Sequence, residues 1–158
     1  MHESSTFVLA RSGSWLAWLG GDSDEISIIS QTVTVPQGGM LRYYRQIVSS
    51  DLCGYDYGSV WVDGTLVFDD DLCAATQTVG WEEVVVDLSA YSNQTVTLEF
   101  EATTDSSENS SLYLDDISLE GTCYPLTVYW TNGGAAPVLS PEYSYGCTAG
   151  EYVAGEVV

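Results

Sequence analysis

The chain has 158 residues, of which 23 are Asp or Glu and only three are Lys or Arg, for a formal net charge of −20. That balance excludes nucleic acid and an anionic membrane surface as partners, because both need Lys/Arg neutralisation. With 45% hydrophobic residues, eleven Tyr and five Trp, the chain is no disordered acidic tail and is long enough for one good core.

The N-terminal "MHESSTF" has no apolar segment of the kind a signal peptide needs, and no run reaches the roughly 20 apolar residues of a membrane-spanning helix. The first strand-like stretch is "SWLAWLG" (14–20), whose tryptophans read as core or sheet-packing residues. "EISIISQTVTV" (25–35), "MLRYYRQIV" (40–48), "SVWV" (59–62) and "TLVF" (65–68) follow, rich in β-branched and aromatic residues. Asp63-Gly64 between the last two is the two-residue signature of a type I′ hairpin. "WEEVVVDL" (81–88), "TVTLEFEAT" (95–103) and "SLYLDDISL" (111–119) complete the series, and no stretch of ten residues shows a helical period. The expectation is an all-β protein, an antiparallel β-sandwich of the jelly-roll type over residues 1–121. Residues 122–158, with three prolines and a Gly-Gly turn, read as a short β-rich extension that is too small to bury a core alone. The chain is expected to begin and end inside a longer protein, since "AGEVV" stops within a strand-like run.

One segment breaks the alternation. Leu112 and Leu114 share one period-2 phase and Ile117 and Leu119 another, so the phase slips at Asp115-Asp116. A β-bulge capped by backbone N–H groups accounts for the slip, and so does a carboxylate turned inward toward a cation or an arginine. Arg42 and Arg45 are the candidate arginines for such a pair. With Arg11 they are the only strong bases, so a divalent cation is a serious alternative partner.

Cys53, Cys73, Cys123 and Cys147 lack the CxxC spacing of a zinc site and read as two disulfides of an exported protein. Cys53–Cys73 and Cys123–Cys147 is one of three pairings four cysteines allow. "NQT" at Asn93 and "NSS" at Asn109 are glycosylation sequons in turn-like contexts. These signals place the protein outside the cell, secreted or on a surface.

Taken together, "SGSWLAWLGG" (12–21), "SQTVTVPQGGMLRYY" (30–44), "VWVDGTLVF" (60–68), "WEEVVVDLSAYSNQTVTLEFEATTD" (81–105) and "SLYLDDISL" resemble a family of bacterial extracellular jelly rolls. These are the MAM-like, galactose-binding-like sandwiches that accompany secreted peptidases and large surface proteins. The tail, "YPLTVYWTNGGAAPVLSP…YVAGEVV", is similar to the opening of a divergent internalin-type B repeat. The resemblance implies a structural calcium where the last strand meets an N-terminal loop. Asp115 or Asp116 would then be a ligand, with Asp22, Asp24 and Glu3 supplying other oxygens.

Catalytic machinery is not expected. His2 is the only histidine and lies near the terminus, so a Ser-His-Asp or Cys-His system has no base. Glu99 and Glu101 share one face of a strand, as a glycosidase pair would need, but read as a solvated outer face. For binding, alternation in "MLRYYRQIV" sends Leu41, Tyr43 and Ile47 inward and Arg42, Tyr44 and Gln46 outward. Trp61 faces outward from "SVWV" and joins them as a platform on which a sugar would stack. The leading expectation is a non-catalytic, calcium-stabilised module for adhesion or structural assembly with neighbouring domains or copies. The alternative is a carbohydrate-binding module accessory to a secreted hydrolase, with glycans as partners.

Overall fold

The structure is a computed structural model that describes residues 8–128, 138, 140, 142–144 and 147–154. Ten short strands carry the fold: β1 (Ala17–Gly20), β2 (Ile26–Thr34), β3 (Met40–Ser49), β4 (Tyr57–Val62), β5 (Thr65–Asp71), β6 (Glu82–Asp87), β7 (Thr95–Thr103), β8 (Ser110–Glu120), β9 (Cys123–Pro125) and β10 (Glu151–Val153). A single 3₁₀ turn, Ser89–Tyr91, links β6 to β7. Eight strands form two antiparallel four-stranded sheets, in the orders β1-β8-β3-β6 and β2-β7-β4-β5. The two sheets pack face to face as the expected β-sandwich.

Alternation builds the core. Leu41, Tyr43 and Ile47 of β3 are buried, as are Val60 and Val62 of β4, Val96, Leu98 and Phe100 of β7, and Leu112 and Leu114 of β8. Tyr43 and Phe100, from opposite sheets, meet edge to face with ring centroids 5.1 Å apart, an arrangement the aromatic quadrupoles favour. Burial pushes the Tyr43 hydroxyl pKa well above its ordinary value. The Asp63-Gly64 turn adopts positive φ at both residues, 47° and 75°, as a type I′ hairpin requires. The Asp63 carboxylate also accepts the Thr97 N–H at 2.8 Å, which ties the turn to β7.

The strand connections divide between two ends of the sandwich. At one end lie the β1–β2, β3–β4, β5–β6 and β7–β8 loops, because Gly20 pairs with Ser111, Ser49 with Ser110, and Tyr57 with both Thr103 and Asp71. Cys53–Cys73 clips two of these loops together. The opposite end holds the β2–β3 turn, against which the tail rests. Thr122 donates its N–H to the Gln37 carbonyl at 2.9 Å, and a side chain at Gly121 would collide with Val153 and Pro36. Cys123–Cys147 closes the tail, where β9 and β10 pair with each other. Of the three pairings open to four cysteines the structure has Cys53–Cys73 and Cys123–Cys147, and two disulfides suit an oxidising compartment. No helix among the described residues is long and apolar enough to cross a membrane.

Phe100→Ala removes the ring that joins the two sheets and should cost about 3–5 kcal/mol. Denaturant unfolding checks this, with an unchanged m-value expected.

Candidate functional site

The phase slip in β8 is a bulge. Tyr44 pairs with Asp115 but Arg42 pairs with Ser118, so two steps on β3 face three on β8. Asp116 takes up the extra residue in the left-handed region, with φ 49°, where Asp is tolerated better than most side chains. Beyond the bulge Leu119 faces the buried Leu41, restoring the inward phase. The two carboxylates hold the incoming N-terminal segment. Asp115 Oδ2 accepts the N–H groups of Arg11 and Ser12 at 2.7 and 3.3 Å, and Oδ1 accepts the N–H of Asp116 at 2.7 Å. Asp116 accepts from the Ser12 hydroxyl and forms a 2.5 Å ion pair with Arg11. The arginine partner is therefore Arg11, not the expected Arg42 or Arg45.

Those bonds continue across the outer face of the β1-β8-β3-β6 sheet. The Arg11 guanidinium lies 3.4 Å over the Tyr44 ring, a cation–π contact. The Tyr44 hydroxyl donates to Glu83 at 3.0 Å, and Arg42 bridges Glu83 and Glu120 at 2.6 and 3.1 Å. The Ser12 hydroxyl and then Arg11 hold the Asp116 carboxyl below its usual pKa. Arg42 and then Tyr44 do the same for Glu83.

The expected calcium ligands are not brought together. Asp22 and Asp24 follow β1 at the loop end, whereas Asp115 lies four positions along β8 from Gly20's partner Ser111, roughly 13 Å away at strand spacing. All four oxygens of Asp115 and Asp116 already accept hydrogen bonds from the N-terminal segment or the bulge itself. Glu3, like His2, lies outside the described residues. A different acidic group does converge. One carboxylate oxygen from each of Asp51, Asp56 and Asp105 lies within 4.8 Å of the others. Nothing in the sequence spacing marks this trio, because the third member arrives from another loop. Cys53, Asp71 and Cys73 also converge, but both sulfurs are consumed by the disulfide.

The expected aromatic platform divides between two surfaces. Arg42, Tyr44 and Gln46 do share one outer face, but β3 and β4 belong to different sheets, so Trp61 faces the opposite side of the molecule. Alternation fixes whether a side chain points in or out, while sheet membership comes from topology. Tyr44 is covered by Arg11 and Arg42 is held by two carboxylates, so neither is free to receive a ligand. Trp18, expected as a core or sheet-packing residue, is 59% exposed and packs on the sheet, stacked on its cross-strand neighbour Tyr113 with centroids 5.9 Å apart. Trp15 is 88% exposed; the core residue of β1 is Leu19.

Around Trp61 the outer face of the β2-β7-β4-β5 sheet has a different character. Trp61 pairs with Glu99 and Leu66, and Ser59 pairs with Glu101 and Asp69. Ile28 and Ser30 lie across Glu101 and Glu99 on β2. Tyr57, four residues before Trp61, shares its face and is partly exposed. Neither Glu99 nor Glu101 has a hydrogen bond or ion pair with any described residue. A separate cleft of about 360 Å³ opens between the sheets beside β2, lined by Ile29, Val33, Phe100, Ile117 and Leu119. It exists because β1 pairs only with Ser111–Leu114 and leaves the later part of β8 uncovered.

Of the two sequons, Asn93 is exposed with φ 61° in the turn before β7. Asn109 is exposed too, but its side-chain amide already donates to the Gly21 carbonyl at 3.3 Å and accepts from Ser23 at 2.9 Å.

No family model matches the chain, and no curated protein matches its sequence. Among solved structures the chain is similar to TmCBM61, a carbohydrate-binding module determined in complex with β-1,4-galactotriose. The identity is 12%, the TM-score 0.53, and the match covers 72% of this chain and 74% of that one. At that identity the likeness establishes the β-sandwich fold that the two share.

The Asp116 and Glu83 pKa values are lowered in the folded state, so their stabilisation is complete above the ordinary carboxylate range, starts to weaken within it and is lost as pH falls through the lowered folded-state values. Asp116→Asn should lower the melting temperature at pH 7, and the variant and parent curves should converge below about pH 4. Thermal unfolding from pH 7 to pH 2 checks this, and parallel curves would show that the ion pair contributes nothing.

Proposed function

We propose that this chain is a non-catalytic carbohydrate-binding module that takes a neutral glycan on the outer face of the β2-β7-β4-β5 sheet. The observation that carries the reading is Trp61, half-buried on the outer face and directly across from the uncommitted carboxylate of Glu99, with Glu101 two positions further along β7. An indole presents a flat apolar surface to the C–H face of a pyranose, and the adjoining polar groups fix its orientation. Carboxylates make strong charge-assisted bonds to sugar hydroxyls, which donate. Tyr57 and the exposed Ile28 and Leu66 extend the apolar surface along the sheet.

Charge selects the class of glycan. Glu99, Glu101 and Asp69 share the face with no cation, since all three arginines are engaged elsewhere. An anionic sugar would meet repulsion from these groups and from the net charge of −20. The galactotriose held by TmCBM61 is neutral, which makes β-1,4-galactan the natural first probe.

Titration calorimetry against β-1,4-galactan and a panel of neutral and uronate-containing polysaccharides tests the reading. Binding to a neutral glycan is expected, with Trp61→Ala weakening it at least tenfold, Glu99→Gln weakening it less, and Trp18→Ala leaving it unchanged. A blank panel, or binding that survives Trp61→Ala and disappears with Trp18→Ala, would sink the proposal.

A further inference from the structure

The loop end of the sandwich contains two aspartates whose burial demands a partner. Asp56 is fully buried at 0% exposure and Asp51 is 5% exposed. Each has one carboxylate oxygen fixed by a backbone N–H: Asp51 Oδ1 accepts from Leu52 at 2.7 Å, and Asp56 Oδ1 accepts from Asp105 at 2.8 Å. The other oxygen of each, Oδ2, is buried without a hydrogen-bond partner. Asp105 completes the group. Its Oδ1 accepts the N–H and hydroxyl of Ser107 at 2.7 and 2.6 Å, and those two bonds hold its carboxyl below the usual pKa.

The surrounding backbone holds all three in place. The Asp51 and Asp56 carbonyls accept from Ala74 and Leu72 at 2.9 and 2.8 Å, the two residues that flank Cys73. Cys53, its disulfide partner, lies between Asp51 and Asp56 in the β3–β4 loop. The Asp105 carbonyl accepts from Asp24 at 2.7 Å, which ties in the β1–β2 loop. Every element of the cluster is therefore anchored except the converging oxygens themselves.

Three carboxylates gathered this closely repel one another, and a buried charge without a counter-charge is strongly unfavourable. Among the described residues no basic side chain is left to offer them. Arg11 is held by Asp116, Arg42 by Glu83 and Glu120, and Arg45 by Asp70 and Glu82. There is no lysine in the sequence. We propose that Asp51, Asp56 and Asp105 form a calcium-binding site that fastens the β3–β4 loop to the β7–β8 loop. The donors are hard oxygens alone, which selects against zinc and copper. Calcium accepts irregular oxygen sets completed by carbonyls and water, whereas magnesium demands a regular octahedron and keeps its water. Asp105 is only half-buried and gives the ion an open side toward solvent.

The whole chain, stripped with EGTA and dialysed, would be titrated with CaCl₂ and separately with MgCl₂ while thermal unfolding is followed. Terbium luminescence sensitised by Tyr55 and Tyr57, which flank Asp56, gives a direct readout of occupancy, with calcium as competitor. Calcium should raise the melting temperature and displace terbium, whereas Asp56→Asn and Asp105→Asn should weaken calcium binding at least tenfold. In EGTA, Asp56→Asn should melt no lower than the parent, because it removes an uncompensated charge and keeps the acceptor for Asp105. Asp116→Asn should retain the full calcium response. The proposal is overturned if the parent does not respond to calcium, if Asp105→Asn responds as the parent does, or if Asp116→Asn abolishes the response. An equal response to magnesium would overturn the assignment to calcium. Should Asp56→Asn fail to fold, the half-buried Asp105→Asn decides the matter.

Discussion

The scarcity of positive charge governs this molecule. Three arginines face 23 acidic residues, and each arginine sits where two parts of the fold must be joined. Arg11 pins the N-terminal segment to the β8 bulge. Arg42 links β6, β3 and β8 across the outer face of one sheet. Arg45, at an inward position of β3, reaches Asp70 on the edge strand β5 of the other sheet and so ties the two sheets together. Exposed ion pairs are worth little on their own. Of these three links, only Arg45–Asp70 has both side chains largely covered, so it is the pair expected to contribute most.

Placement of the bases decides what the remaining acids can do. Along the β2-β7-β4-β5 face, acids without partners flank an indole and remain open to hydroxyl donors. At the clipped loop end, Asp51 and Asp56 each keep one buried oxygen without a partner, which is the ground for the cation proposed there. On the β1-β8-β3-β6 face the acids are already satisfied, so that surface stabilises the fold and has little left to offer a ligand. One shortage thus separates the proposed glycan surface, the proposed cation site and a structural network.

Most of the fold was legible in the sequence because half-buried antiparallel strands write period-2 patterns. The stretches 95–103 and 65–68 mark β7 and most of β5, and Asp63-Gly64 marks the hairpin turn that joins β4 to β5. Even the bulge was visible as a slipped phase between Leu114 and Ile117. The partner of Asp115-Asp116 was not, because Arg11 is more than a hundred residues away and carries no local signal. Trp61 was correctly sent outward but assigned to the wrong company, since strand alternation says nothing about which sheet a strand joins. The Asp51–Asp56–Asp105 group was missed for the same reason: its members meet only through topology. One hint was available in "SDLCGYD", where two aspartates flank a cysteine whose disulfide would hold their loop still.

The most direct test of this account of charge is a crystal structure of the chain grown in calcium, with long-wavelength anomalous differences used to place the ion. The account predicts a peak among Asp51, Asp56 and Asp105, with the Arg11–Asp116 pair intact. A peak at Asp115 and Asp116 with Arg11 displaced, or the three loop aspartates bonded to one another with no ion between them, would contradict it.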